Sequence, residues 1–326
     1  MTRRHSFIIL ATLLLVNTIQ AQSLSDNYLQ EIKSNIQLPE DAETNVIKLF
    51  KTQSTITALT INGVYQYSDE NWIGKAGTAL FKTAGLDKED NVWLATAKFI
   101  QNENGSKKFH LPDWTKNDTI LSLFWEDQTL HVGTTNGMLS RTNEKWQKVS
   151  ATNGKRINSI ALDNNGILWL ASNKGLLKRT PVEWQNMDEM LMAADTKEMY
   201  FNVYVPKGTN DLLFSAPLSV GCIAENGEHW MWSGTDGLPY GPVTTIKSYN
   251  KTLWFGTHKG VAKKDDEWRY YHGKRWLPNN KINDILPIDE YTTWIATPSG
   301  ISQIQEVKMN LEEKAAHIEN VIDTRH

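Results

Sequence analysis

The stretch Asn164–Leu176 reads NNGILWLASNKGL. Five apolar or β-favouring residues, Ile167 to Ala171, stand between two glycine-containing polar segments, so the segment predicts a strand between two tight turns. Successive side chains of a strand point to opposite faces. Leu168 and Leu170 therefore take one face and Trp169 and Ala171 the other. Both faces are apolar, which requires the sheet to be covered on both sides.

The chain repeats this stretch. Aligned on Trp169, the equivalent positions are Thr57, Trp93, His131, Phe214, Trp254 and Trp294, at intervals of 36, 38, 38, 45, 40 and 40 residues. A glycine follows six residues later in five copies, as Gly63, Gly137, Gly175, Gly260 and Gly300. In the copy at Phe214 it slips by one to Gly221, and in the copy at Trp93 its place is taken by Phe99. Seven strand-only repeats of this length predict a seven-bladed β-propeller. Before each marked strand a further apolar segment lies ready to line a central channel: Val46–Phe50, Ala79–Thr83, Ile120–Trp125, Ile157–Leu162, Met199–Val205, Val243–Ser248 and Ile282–Ile288. Third strands follow the glycines, and later aromatics such as Trp72, Trp146, Trp184, Trp230 and Trp268 mark fourth strands. The small residue two after the marked position (Ala95, Gly133, Ala171, Ala216, Gly256, Ala296) predicts close approach of the next blade.

The pattern of Asp-x-x-Gly-x-Leu-Trp followed by a small residue, Thr or Ser, and the glycine resembles the two-component-regulator propeller repeat. That repeat occurs in periplasmic sensor regions of bacterial hybrid histidine kinases and in secreted relatives. The resemblance runs over roughly residues 36 to 306, is strongest at Ile157–Gly175, Val243–Gly260 and Ile282–Gly300, and specifies fold better than function.

Residues 1–21 carry Arg3-Arg4, an apolar run Phe7–Val16 and Ala21 before Gln22, as a secretory signal peptide does. The run is too short to stay as a membrane span. The expected organisation is therefore a signal peptide at 1–21, a propeller at 22–306 and a C-terminal helix at 307–326. Export to the periplasm or the extracellular space follows, with no span in the mature chain. A net charge of −3 excludes neither sign strongly and gives no reason to expect nucleic acid. Cys222 is the only cysteine, so the fold must rest on its core and not on a disulfide.

The last repeat supplies three strands and lacks a fourth. Glu31–Pro39, EIKSNIQLP, matches the fourth-strand ends His110–Pro112 and Trp276–Pro278, and it predicts an N-terminal strand that completes the last blade. Closing the ring in this way leaves only short edges. Met309–Thr324 places Leu311, Ala315, Ile318 and Ile322 at helical spacing behind Asn310 as N-cap, an amphipathic helix expected to dock on the propeller. The resemblance implies that a similar segment opens a further helical domain in longer relatives.

No nucleophile elbow, His-Glu-x-x-His run, Cys/His pair at metal spacing or phosphate loop occurs, so no catalytic residue, metal or cofactor is expected. Asp163–Gly166 has a faint likeness to a calcium loop, but it falls in a hairpin turn shared by the repeats and is read as a turn. One region exceeds what the repeat needs. Strand order places the loops between second and third strands, and between one blade and the next, at one end of the ring. That end collects Asn136, Lys174, Tyr240, His258, Lys259, Arg275 and Trp276 as candidate ligand-binding residues. Aromatic faces beside cations and amides suit an acidic saccharide or a protein partner. The leading expectation is an exported binding or sensing module. The alternative is a propeller-type polysaccharide lyase or hydrolase using His258, Tyr240 and Arg275, or an accessory module of a larger glycan-degrading enzyme.

Overall fold

A computed structural model of the chain describes residues 28–52, 55–191, 199–239 and 241–323. The expected signal peptide lies outside them. The strands form seven four-stranded sheets, each the blade of a propeller. Blades 1 to 6 run from Val46–Lys51 to Asn71–Ala76, Thr83–Leu86 to Lys108–His110, Ile120–Glu126 to Lys145–Val149, Ile157–Leu162 to Trp184–Asn186, Asn202–Tyr204 to His229–Trp232 and Val243–Tyr249 to Trp268–Tyr271. Blade 7 takes Asp284–Pro287, Thr292–Thr297 and Gly300–Met309, and its outermost place is filled by the N-terminal strand Tyr28–Ile36. The closure expected from Glu31–Pro39 is thus present.

Three inner strands begin later than the apolar pattern suggests. Blade 2 starts at Thr83, blade 5 at Asn202 and blade 7 at Asp284, because residues just before them bond back to the preceding blade, as Tyr200 N does to Ser172 O at 2.7 Å. Phe81 N donates to Ile61 O at 2.8 Å, and Ile282 N donates to Thr257 O at 2.9 Å. An apolar residue tied to the neighbouring blade cannot also serve its own ladder.

The core is divided among the gaps between blades. Trp169 and Ala171 of blade 4 pack with Tyr200, Val203 and Phe214 of blade 5, and Trp93 and Ala95 of blade 2 with Ile120 and Val132 of blade 3. Leu168, Trp169, Leu170 and Ala171 are all buried, as a strand covered on both faces requires. The small residue after the marked position has the expected cause. A Cβ on Gly133 would stand 2.8 Å from Ile157 O, and one on Gly256 would stand 2.7 Å from Ile282 Cγ2, in each case an atom of the next blade.

The repeated glycine and aspartate are backbone devices. Gly137, Gly175, Gly260 and Gly300 have φ of +135°, +112°, +124° and +120°, a region that side chains disfavour. In the turn before the marked strand, Asp163 Oδ1 accepts from the amides of Asn165 and Ile167 at 3.0 and 2.9 Å, while Oδ2 accepts from Trp169 Nε1 at 3.1 Å. Asp87 does the same for Glu89, Asn91 and Trp93. These carboxylates are occupied by the hairpin they close.

Residues Lys33–Ile304 form one compact unit, the propeller. The C-terminal helix, Leu311–Asp323, is capped as its sequence suggests: Glu313 N donates to Asn310 Oδ1 and Asn310 N donates to Glu313 Oε2, both at 2.9 Å. Its Ala315 and Ile318 are exposed, so the expected apolar stripe is not a buried one over these residues. No helix among the described residues is long and apolar enough to cross a membrane.

Candidate functional site

Seven inner strands surround a channel with a cavity of about 720 Å³. Strand register fixes which side chains share a level in its wall. The residue opposite the small position is Lys48 in blade 1, Thr83 in blade 2, Ser122 in blade 3, Ser159 in blade 4, Thr245 in blade 6 and Asp284 in blade 7. The pairing partners are Leu59, Ala95, Gly133, Ala171, Gly256 and Ala296. A polar girdle therefore runs round the ring at this level. Its hydroxyls are partly spent on the frame, since Ser122 Oγ donates to Ile157 O and Ser159 Oγ to Val203 O.

The two charged members of the girdle are neighbours across the closure. Asp284 is fully buried, with Oδ2 accepting from Leu49 N at 3.1 Å and Oδ1 from Thr245 Oγ1 at 3.2 Å. Lys48 Nζ stands 3.9 Å from Oδ1 and Lys247 Nζ 3.7 Å, so one carboxylate serves lysines from blades 1 and 6. Burial pushes the Asp284 carboxyl up, but Lys247, Lys48 and the amides of Leu49 and Ile285 outweigh it and hold it below the usual aspartate range. The attraction of Asp284 raises Lys48, yet burial and the adjacent Lys247 together bring it below the ordinary lysine value. Among the residues that line the channel, the charged ones are Lys48, Lys82, Lys247 and Lys281, all cations. Lys82 and Lys281 stand exposed at the starts of the inner strands of blades 2 and 7.

The residues expected from sequence lie elsewhere on the propeller. Asn136, Lys174 and Lys259 occupy one equivalent turn position in blades 3, 4 and 6, each exposed and each just before the positive-φ glycine. Their backbone amides donate to Thr134 Oγ1, Ser172 Oγ and Thr257 Oγ1, at 3.1, 3.1 and 3.0 Å. His258 is exposed beside Lys259. Arg275 is exposed with its guanidinium carbon 5.0 Å from the centre of the Trp276 ring. Trp276 is half-buried, edge-on to Tyr271 at 5.2 Å, with its carbonyl accepting from Ser302 Oγ at 2.8 Å. Tyr240 lies outside the described residues. The six described residues lie in blades 3, 4 and 6 and in the connection to blade 7. Arg275 and Trp276 are in contact, and none of the six lines the channel.

Lys48, Lys247 and Asp284 sit inside the strands that the apolar pattern assigns to the channel lining, where the pattern does not single them out. The available signal is positional: six of the seven inner strands carry a polar residue opposite the small position, and two of these are charged. Among the described residues no group of three or more His, Cys, Asp or Glu could hold a metal ion.

Residues 152–174 match the model of the two component regulator propeller family. The chain carries that repeat. Among solved structures, the extracellular domain of a hybrid two component system from B. thetaiotaomicron is similar at 16% identity and a TM-score of 0.69, over 83% of this chain and 40% of that one. Virginiamycin B lyase from Staphylococcus aureus is similar at 12% identity and a TM-score of 0.69, over 86% of this chain and 100% of that one. PorZ, a surface component of the type-IX secretion system of Porphyromonas gingivalis, is similar at 13% identity and a TM-score of 0.57, over 86% of this chain and 39% of that one. At these identities the likeness is one of fold. The chain spans about 40% of the length of the hybrid-system domain it matches. No curated protein matches it in sequence. The repeat thus accounts for the marked Trp, the turn Asp and the glycine, and leaves the charged channel wall as a property of this chain.

Proposed function

We propose that the chain is an exported propeller that binds an extracellular ligand over and within its central channel, and that the ligand is an acidic saccharide. The observation that carries this reading is the channel wall, where four lysines face an open cavity and the nearby carboxylate, Asp284, is turned into the frame. A cavity of this size suits a small ligand, and cations with unspent donors favour anionic groups. Export is supported by the apolar run Phe7–Val16 and by structural neighbours that are extracellular domains. Asn136, Lys174, Tyr240, His258, Lys259, Arg275 and Trp276 would act as outer contacts for a ligand longer than the channel is deep.

The test is incubation with a panel of acidic and neutral oligosaccharides, with melting temperature and product followed together. Stabilisation by acidic members that weakens with added salt supports the reading. Product that accumulates and is stopped by His258→Ala would instead make the protein a lyase or hydrolase.

A further inference from the structure

We propose that Lys48 and Lys247 form a clamp for one compact oxyanion, a carboxylate, sulfate or phosphate group, at the waist of the channel, with Asp284 as the residue that positions both. This deepens the binding reading above and rests on the same cavity, but it names a subsite that the sequence reading did not contain.

The argument begins with donors. Each ammonium has three N–H groups and no acceptor function. The separations to Asp284 Oδ1, 3.9 Å for Lys48 and 3.7 Å for Lys247, are those of ion pairs and are longer than hydrogen bonds. The carboxylate cannot turn to shorten them, because Leu49 N and Thr245 Oγ1 hold its two oxygens from different blades. It is wholly buried, whereas each lysine side chain keeps about 30% of its surface open to the channel. Two cations are thus drawn to one level by a carboxylate that neutralises one of them, and their free donors face the cavity.

Charge around the pair points the same way. Lys82 and Lys281 add two further cations along the wall, and no carboxylate joins them among the lining residues. Of the girdle hydroxyls nearby, Thr245 Oγ1 is spent on Asp284, while Thr83 carries a hydroxyl able to accept or donate. An oxyanion seated between the ammonium groups would take up the free donors and relieve the repulsion between two like charges, which Asp284 alone leaves uncompensated. A structural role alone would require one lysine opposite Asp284; the second is surplus to it.

The test uses the full chain and small probes of defined charge. Phosphate, sulfate and glucuronate are titrated against chloride at matched ionic strength, with glucose as the neutral control, by calorimetry and thermal unfolding. Oxyanion-specific stabilisation is expected, with affinity at least tenfold weaker in Lys48→Gln and in Lys247→Gln and unchanged in Lys145→Gln on the exposed outer strand of blade 3. If Lys48→Gln folds poorly, Lys247→Gln carries the test, since Lys48 still balances Asp284 in that variant. A preference for glucuronate over the inorganic ions would assign the clamp to uronic acids, and the reverse preference to sulfated or phosphorylated ligands. Stabilisation no greater than that of chloride, or affinity that survives loss of either lysine, overturns the clamp. Acidic saccharides that bind with full affinity to both lysine variants would overturn it and leave the broader reading intact. Phosphate binding that needs both lysines, without binding of any saccharide, would keep the clamp and remove the saccharide.

Discussion

His131 Nε2 lies 2.8 Å from Glu126 Oε2, and the pair replaces the Trp–Asp contact that closes the same hairpin in blades 2 and 4. Arg179 of blade 4 holds the other side of Glu126, with Nη1 2.9 Å from Oε2 and Nη2 2.5 Å from Oε1. A tryptophan donates one N–H to an aspartate and is indifferent to pH. The His–Glu–Arg chain performs the same closure with groups that titrate, and it ties blade 3 to blade 4.

This pair predicts acid sensitivity. Burial pushes the buried His131 below the ordinary histidine value, against the pull of Glu126, and the bond from Arg179 holds Glu126 below the usual glutamate range. For His131, the unfolded chain binds more protons below about pH 6.5, so its contribution is present above that pH and is lost as pH falls toward the folded value. For Glu126 the contribution is present above about pH 4.3 and lost below it. Both signs agree. Melting temperature should fall between pH 7.5 and 5, and His131→Trp, which restores the residue of the repeat, should flatten that slope. An equal slope in the variant would place the acid sensitivity elsewhere.

Core and rim should separate cleanly. Trp169→Ala removes a buried indole and leaves Asp163 Oδ2 without its donor, and should cost about 3–5 kcal/mol. His258→Ala, on an exposed turn, should cost less than about 1 kcal/mol. Chemical denaturation of both variants checks the contrast.

Close approach of blades is tested by one methyl group. In Gly256→Ala the new Cβ would lie 2.5 Å from Thr245 Cγ2 and 2.7 Å from Ile282 Cγ2, so two blades must part. Overpacking of this kind should cost about 1–3 kcal/mol. Gly234→Ala, where no atom lies within 4 Å, is the control and should be near neutral.

The sequence makes the blades legible because the residues that build them recur with fixed roles. Trp169, Asp163 and Gly175 each solve a local problem, in packing, turn closure and backbone sign, and the same solutions reappear in most blades, with Thr57, His131 and Phe214 standing for the tryptophan and Phe99 for the glycine. Even blade 5, with Phe214 and the shifted Gly221, kept enough of the pattern to be counted. The channel clamp was not legible for the opposite reason. Lys48 comes from blade 1, Lys247 from blade 6 and Asp284 from blade 7, and no single offset within the repeat holds all three. Lys247 lies two residues past the girdle position that Lys48 and Asp284 occupy, so only the three-dimensional register brings it to Asp284 Oδ1. The rim residues illustrate the converse: Asn136, Lys174 and Lys259 are equivalent in the repeat and therefore lie in different blades.

Asp284 is expected to matter for stability before it matters for binding. Asp284→Ala removes the acceptor for Leu49 N and Thr245 Oγ1 and leaves Lys48 and Lys247 facing one another. A loss of about 2–4 kcal/mol is expected, less than for a fully enclosed pair because both lysines reach channel water. Asp284→Asn keeps an acceptor and should recover part of it. Denaturant midpoints at neutral pH decide the order.

Closure of the ring is the last and most demanding prediction. The N-terminal segment is fastened to blade 1 as well as to blade 7: Trp72 Nε1 donates to Gln37 O at 2.7 Å, and Ile36 and Leu38 pack on the cluster of Val46, Leu49, Trp294 and Ile301. Removing residues 22–39 would leave Gly300–Met309 as an open edge in blade 7 and orphan the indole of Trp72, which also stacks edge-on against Trp294 at 6.3 Å. An unpaired, partly apolar strand edge invites pairing with another copy. The truncated chain should therefore melt well below the intact one and associate as concentration rises. Trp72→Phe should reproduce part of the loss, about 1 kcal/mol for one hydrogen bond, without exposing the edge and so without association. Light scattering and thermal unfolding measured together separate the two effects. An unchanged melting temperature in the truncated chain would mean that blade 7 holds with three strands and that the N-terminal strand is not its fastening.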